Sequence, residues 1–227
     1  MDFSVITDNA RYLMLGNWPQ GALGGAALTL ALSLASGLLS AVVGLLFGTM
    51  LACCPRWVRW LLMPVLGFFR AIPIVMLIFW VYFMSPQLLG VQAPQMTTVA
   101  LSLGFVGGAY LSYSVASGIN GLPVGQWRAS KALGLSWWQA MRYVIFPQAL
   151  PRMMPSFINQ WVSLIKDTSL AYIIGGTELL FLARQIDNTV MTQPALIYLF
   201  VGVIYYIICT LLDVAAFQLR RTSGKTA

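Results

Sequence analysis

Long apolar stretches, separated by short polar and basic segments, dominate the chain. The first stretch, residues 22–54, contains no charged residue. About 20 residues suffice to cross the hydrocarbon of a bilayer, so this stretch predicts a spanning helix. Four further apolar stretches follow at about 61–84, 97–119, 156–175 and 194–217. The pattern therefore predicts an all-α integral membrane protein with five transmembrane helices, built as a single domain over residues 1–227.

The composition agrees with a membrane protein and excludes several kinds of chemistry. The chain is 59% hydrophobic and 8% charged, whereas about 25% of the residues of a soluble domain are charged. It has no histidine, which excludes histidine-based catalytic triads and metal sites. Cys53, Cys54 and Cys209 form no CxxC pair, and we interpret them as small apolar-segment residues. We expect no cleavable leader, no metal site and no enzymatic activity in this chain.

The basic residues predict the orientation of the spans. Only Arg11 and Arg184 fall on one side of the predicted membrane. The larger group falls on the other side and consists of Arg56, Arg59, Arg128, Lys131, Arg142, Arg152, Arg220, Arg221 and Lys225. Cytoplasmic segments carry an excess of Lys and Arg, so the N-terminus is predicted outside and the C-terminus inside. The same bias accounts for the net charge of +7 without nucleic acid. Arg220 and Arg221 are possible partners of Asp213.

A polar segment at about 120–155 separates the third and fourth spans. It predicts two short helical pieces, at 126–133 and 137–144, with Gly134 permitting a turn between them. Pro147 is predicted to end the second piece.

This segment resembles the EAA loop of the membrane subunits of ABC importers. Arg128-Ala129-Ser130 stands at the Glu-Ala-Ala triplet, Gly134 occupies the glycine position, and Ile145-Phe146-Pro147 matches the end of the motif, although the glutamate is absent. In that family the loop is a cytoplasmic helix that docks on the ATP-binding subunit. The resemblance implies ATPase-coupling roles for Gln126, Arg128, Ala129, Ser130, Ala132, Gly134 and Pro147. The alternative interpretation is a basic interfacial loop without a partner.

Three other segments resemble permeases of the polar amino-acid uptake family. They are Phe68-Phe69-Arg70-Ala71-Ile72-Pro73, Ala109-Tyr110-Leu111-Ser112-Tyr113, and Lys166-Asp167-Thr168-Ser169-Leu170 preceded by Asn159. Two positions depart from the family, since Tyr113 replaces a glutamate and Ala116 an arginine. The candidate substrate path comprises Arg70, Tyr110, Ser112, Tyr113, Asn159, Lys166, Asp167, Thr168 and Ser169. The alternative role for Arg70 is an interfacial anchor or structural partner, and the alternative for Lys166 and Asp167 is ion pairing at a subunit interface.

The resemblance implies a type I importer fold in the bacterial cytoplasmic (inner) membrane. It also implies two ATP-binding subunits, a second permease subunit (a copy or a paralogue) and a periplasmic or surface amino-acid-binding protein. No G-x-x-x-x-G-K-[ST] motif is present, so ATP and Mg would be used by the partner ATPase. Among relatives the pattern is closest to glutamate/aspartate permeases, and loss of the glutamate at Tyr113 suits an anionic ligand. Alternatives are another amino acid (glutamine, basic or opine-like), a half of a heterodimer that binds no substrate, a secondary transporter, or a membrane scaffold.

Overall fold

The computed structural model describes residues 4–91, 93–191 and 193–223, and this part of the chain contains helices and no β-strand. The long helices are α2 (Gly25–Cys53), α5 (Gln95–Asn120), α8 (Phe146–Asp167) and α10 (Pro194–Ser223). The shorter ones are α1 (Ser4–Leu15), α3 (Arg56–Ala71), α4 (Ile74–Leu89), α6 (Val124–Ala132), α7 (Trp137–Ala140) and α9 (Leu179–Val190). A π-helical turn, Met141–Ile145, joins α7 to α8, and a 3₁₀ helix, Thr168–Ile174, follows α8. The prediction of an all-helical protein is confirmed for the described residues.

Three of the predicted spans are single long apolar helices, namely α2, α5 and α10. The second stretch is instead divided between α3 and α4, which meet at Ile72 and Pro73. Ile72 and Pro73 both have extended backbone angles, and proline cannot continue the helical hydrogen bonding. If the bent α3–α4 pair counts as one span, up to four candidate spans are present among the described residues.

The fourth stretch begins earlier than its apolar pattern indicated. α8 starts at Phe146 and includes Pro151 and Pro155, so it joins the end of the polar loop to the apolar stretch in one helix. The α-helix ends at Asp167, and the chain continues as the 3₁₀ helix to Ile174. Arg220 and Arg221 were possible partners of Asp213, but their side chains lie outside the described part of the structure, and so does Lys225.

The chain forms two compact units, and α2, α5 and α8 each contribute to both. Unit 1 consists of residues 1–36, 73–103 and 161–227. One of its cores joins α1 and α9 to the ends of α2 and α10, through Leu13, Ala26, Leu179, Ile186 and Ile197. A second core packs α4, α5 and the 3₁₀ helix around Ile78, Leu103, Leu164 and Ala171. These contacts make α9 an integral part of unit 1.

Unit 2 consists of residues 37–72 and 104–160. Close packing of α2 on α5 depends on glycines, which lie four residues apart in α2 at Gly44 and Gly48. A Cβ on Gly48 would lie 2.5 Å from Cβ of Val115, and one on Gly44 would lie 2.5 Å from Cβ of Leu111. Real Cβ atoms do not approach so closely, so both positions require glycine at this helix separation.

Candidate functional site

The predicted loop helices are present, and glycine makes the turn between them. α6 ends at Ala132, and Gly134 has a φ of +74°, a left-handed value that glycine adopts without strain. Ser136 then caps α7: its hydroxyl accepts from the amide of Gln139, whose side chain accepts from the amide of Ser136. This reciprocal capping box fixes where the second helix begins.

One side of this helical loop is anchored to unit 2. Met141, Ile145 and Ala149 are buried against Val115 and Ile119 of α5. Two residues of α6 also contribute to this anchoring. Trp127 packs on the same core, and Ser130 is buried and donates to the Gln126 carbonyl over 2.8 Å. Arg152 donates to the carbonyl of Gly121, 3.0 Å away, just beyond the end of α5. The loop is therefore held firmly on α5 and α8.

The other side of the loop exposes large apolar side chains between cations. Leu133 is 78% exposed and Trp138 is 75% exposed. Arg128, Lys131 and Arg142 are also exposed. Apolar side chains rimmed by charge are typical of a protein–protein contact, and here they are mounted on a rigid base. Of the predicted coupling residues, Gln126 is half-buried and Ser130 is buried, whereas Arg128, Ala129, Ala132, Gly134 and Pro147 are exposed.

Pro147 does not end the second helical piece, so that prediction is wrong. The π-helical turn Met141–Ile145 shifts the hydrogen bonding just before the proline, and Phe146 donates to Met141, five residues back. Gln148 then donates from its side chain to the Val144 carbonyl over 2.8 Å. Pro147 has no N–H and cannot donate the usual bond to the carbonyl four residues back. The altered bonding around it lets the helix continue.

Arg70, Tyr110 and Tyr113 lie together in unit 2. The Arg70 guanidinium carbon is 4.5 Å from the ring centroid of Tyr113 and 5.1 Å from that of Tyr110. Tyr110 also donates to the backbone carbonyl of Arg70 over 3.2 Å. Stacking of this kind stabilises a guanidinium without neutralising it. Arg70 is exposed and makes no ion pair among the described side chains, so its charge stays available.

The run Lys166–Ser169 lies in unit 1, at the change from α8 to the 3₁₀ helix. Lys166 is exposed and no described carboxylate lies within ion-pairing distance of it. Thr168 is buried and donates to Ile165 over 2.7 Å, and Ser169 donates to Lys166 over 2.7 Å. The two hydroxyls therefore bond to carbonyls at the end of their own helix. The Lys166 ammonium is exposed, and the Asp167 carboxyl is half-buried. Asn159 is exposed on α8, and Ser112 is buried and donates to Gly108.

Sequence reasoning missed a buried acidic cluster in unit 1 around Glu178. The carboxylate of this fully buried residue accepts from the amides of Leu180 and Phe181, at 2.8 and 2.9 Å, and from the hydroxyl of Tyr205 at 3.0 Å. Thr29 accepts from the next amide, that of Leu179, over 3.3 Å. Glu178 thereby caps α9 and joins it to α10. A carboxylate directly before an apolar helical run was the available signal.

Burial changes the acid strength of this group, which lies between the predicted fourth and fifth spans. Loss of solvation raises the pKa of the Glu178 carboxyl to about 7, although its three hydrogen-bond donors act in the opposite direction.

Comparison with known proteins assigns the chain to a family. The family described as binding-protein-dependent transport system inner membrane component matches residues 44–222. The chain belongs to this family. Its members are inner-membrane permease subunits of ABC importers, in which the ATPase is a separate subunit. A multi-pass inner-membrane location is consistent with the apolar helices.

Individual relatives of this permease are amino-acid permeases. A glutamate/aspartate import permease protein (GltK) of Escherichia coli O6:H1 is 30% identical over 234 residues, covering 98% of each chain. An arginine transport system permease protein (ArtQ) of Bacillus subtilis is 31% identical over 189 residues, covering 81% of this chain and 85% of that one. The identities are nearly equal while the named substrates differ in charge, so similarity alone does not select a substrate.

Solved structures show the same fold. The crystal structure of an amino acid ABC transporter with histidines gives a TM-score of 0.83 at 22% identity, covering 98% of this chain and 99% of that chain. An inward-facing MetNI methionine ABC transporter gives 0.73 at 22% identity, covering 86% and 92%. The permease therefore has the fold of ABC-importer membrane subunits.

Proposed function

We propose that this permease subunit moves a polar amino acid inward across the cytoplasmic membrane, and that the amino acid is glutamate or aspartate. The observation that carries the acidic substrate is the Arg70–Tyr110–Tyr113 cluster. The family resemblance implies a glutamate at the position where this chain has Tyr113. A glutamate beside Arg70 would neutralise the guanidinium, whereas the tyrosine ring stacks on it and leaves its charge for a ligand carboxylate.

The charge of unit 2 argues against a cationic substrate. Residues 37–72 and 104–160 contain no aspartate or glutamate, so a positively charged side chain would find no counter-ion from unit 2. An uncompensated charge taken out of water costs several kcal/mol. Lys166 at the end of α8 adds a further exposed cation, and Asp167 beside it offers a carboxylate for an α-amino group.

Coupling to ATP hydrolysis is assigned to the helical loop α6–α7. Its exposed apolar and basic side chains suit docking on an ATP-binding subunit, and its buried side transmits force to α5 and α8. We propose five spans with the N-terminus outside, and this loop in the cytoplasm. The assembly would comprise two permease subunits, two ATPases that bind ATP and Mg, and a periplasmic or surface amino-acid-binding protein.

Reconstitution with the partner subunits tests this function. The ATPase activity of the assembled complex is measured with the binding protein loaded with each of a panel of amino acids, and glutamate or aspartate should stimulate it most. Stimulation by arginine alone would contradict the acidic substrate. If the chain assembles with no ATPase subunit, the coupling role assigned to the loop fails.

Tyr113→Glu provides the sharper test of the substrate. The new carboxylate should pair with Arg70 and repel an anionic ligand, lowering kcat/KM for glutamate uptake about tenfold for an added repulsion of roughly 1.4 kcal/mol. Tyr113→Phe is the matched control, because it keeps the ring over the guanidinium. Equal uptake by the Glu and Phe variants would show that this cluster does not contact the ligand.

A further inference from the structure

The two units differ sharply in charge. The described acidic residues of the chain, Asp8, Asp167, Glu178, Asp187 and Asp213, belong to unit 1. Unit 2 carries Arg56, Arg59, Arg70, Arg128, Lys131, Arg142 and Arg152, and no acidic residue accompanies them. Its charge of +7 equals the net charge of the whole chain. No side chain of unit 2 therefore supplies a carboxylate to a guanidinium of this unit.

A cavity of about 450 Å³ opens in unit 2 between α5 and α8, beside the last turns of α5. Small-molecule sites have volumes of roughly 300–1,000 Å³. The lining residues that bear on ligand chemistry are Tyr113, Ser114, Ser117, Gly121, Arg152 and Ser156. Three hydroxyls and a guanidinium thus face a space large enough for an amino acid.

The cavity's hydrogen-bonding groups are largely unused. Some helical serines of the chain, such as Ser36 and Ser112, donate back to a carbonyl of their own helix. The hydroxyls of Ser114, Ser117 and Ser156 make no hydrogen bond among the described residues. Ser117 is exposed, and Ser114 and Ser156 are half-buried, so these hydroxyls are accessible to a polar molecule in the cavity.

A hydrogen bond orients the Arg152 guanidinium, and further N–H donors of this group remain for a ligand. Arg152 uses one N–H to bond the Gly121 carbonyl, while a guanidinium has five N–H donors in a planar fork suited to a carboxylate. Tyr113, which also lines the cavity, carries the Arg70 guanidinium on its ring, 4.5 Å from the centroid. The lining thus includes one guanidinium, that of Arg152, and no acidic residue.

We propose that this cavity is a second substrate subsite, which takes a carboxylate of the transported amino acid on Arg152 and the three serine hydroxyls. It adjoins the α6–α7 loop, so it would hold the ligand on the side where it leaves the membrane. This assignment rests on the proposed import of an acidic amino acid. It is separate from Lys166–Ser169, which belong to unit 1.

A cysteine reporter in the cavity tests the proposal on the assembled transporter in nanodiscs. Ser117→Cys is introduced after Cys53, Cys54 and Cys209 are replaced by alanine. The rates of modification by an anionic and by a cationic methanethiosulfonate reagent are then measured, each normalised to a free thiol. A cationic site should favour the anionic reagent. Removing one unit charge several ångströms away by Arg152→Gln should lower the anionic-to-cationic ratio about fivefold or more.

Two further variants separate charge from structural damage. Arg152→Lys keeps the charge and should keep most of the ratio. Arg59→Gln is the matched control, because Arg59 also donates to a backbone carbonyl of unit 2, that of Ala52 over 3.1 Å, and does not line the cavity. An equal fall in the Arg59 and Arg152 variants would refute a local cationic site.

Ligand protection then identifies the occupant. L-Glutamate and glutarate at millimolar concentration should slow modification of the reporter, and L-glutamine should protect less. Equal protection by inorganic phosphate would overturn the assignment to a substrate carboxylate, and no protection by glutamate would overturn the site.

The two proposals fail in different ways. If glutamate stimulates ATPase activity but does not protect the reporter, only the cavity proposal is refuted. If glutamate protects the reporter but the loaded binding protein does not stimulate ATPase activity, the proposed import is refuted, and the cavity remains a carboxylate site.

Discussion

Glu178→Gln should remove much of the pH dependence of this permease's thermal stability. The carboxyl is buried against α9 and α10, and burial raises its pKa to about 7 from an ordinary value of 4.5. The folded state therefore holds the proton more tightly than the unfolded state. The resulting stabilisation is complete below about pH 4.5 and is lost as the pH rises through about 7.

The size of the effect follows from the shift. At 1.36 kcal/mol per pKa unit, the shift corresponds to about 3 kcal/mol, and most of this is lost between pH 5 and pH 8. Glutamine cannot titrate. It still offers an oxygen to the amides of Leu180 or Phe181, but it gives up one acceptor, which lowers stability by a roughly constant amount at every pH.

The assay is thermal denaturation of the purified permease in detergent from pH 5 to pH 8. The melting temperature of the wild-type protein, relative to that of Glu178→Gln, should fall by several degrees across this range, at roughly 2–4 °C per kcal/mol for a chain of this size. Asp187→Asn on the same helix is the control, because its carboxylate is partly exposed and, among the described residues, accepts a hydrogen bond from Tyr198 alone. Parallel curves for the wild type and Glu178→Gln would refute the account of a buried titrating cap.

Three other substitutions test the loop, the charge run and the helix packing. Gly134→Pro should abolish co-purification with the ATPase subunit, because proline cannot adopt a φ of +74°; normal assembly would contradict this. Lys166→Ala should lower glutamate uptake several-fold without changing assembly, and unchanged uptake kinetics would exclude a substrate role. Gly48→Ala should lower the melting temperature by several degrees, because its Cβ meets Val115 and overpacking costs roughly 1–3 kcal/mol, whereas Gly67→Ala, with open space around it, should not.

The helical loop α6–α7 shows how far local patterns can predict secondary structure. Gly134 and the polar stretches around it located both short helices, because glycine conformation and capping depend on residues close in sequence. The prediction that Pro147 ends a helix was wrong because it considered only the residue type and its place in the sequence. Whether a proline ends a helix depends on the carbonyl it leaves unbonded, and here the π-helical turn and the Gln148 side chain alter that bonding.

Apolar length predicted α2, α5 and α10 well, since burial in lipid requires only a sufficiently long uncharged helix. It predicted one span over residues 61–84, which the structure divides into two helices that meet at Ile72 and Pro73. The candidate substrate residues were identified by motif and not by contact, so the stacking of Arg70 on Tyr113 could not be foreseen. That arrangement depends on how α3 packs against α5 within unit 2.

The sequence by itself determined the membrane character, the helical class and the position of the loop, because each of these depends on composition or on neighbouring residues. The family came from the resemblance of its motifs and was confirmed by the comparison with known proteins. Only the tertiary structure brought Glu178 under Tyr205, and placed three serines and Arg152 around one cavity. It also placed every described acidic residue of the chain outside unit 2. These features join residues far apart in sequence, and their energies depend on burial and on distances that no linear pattern records.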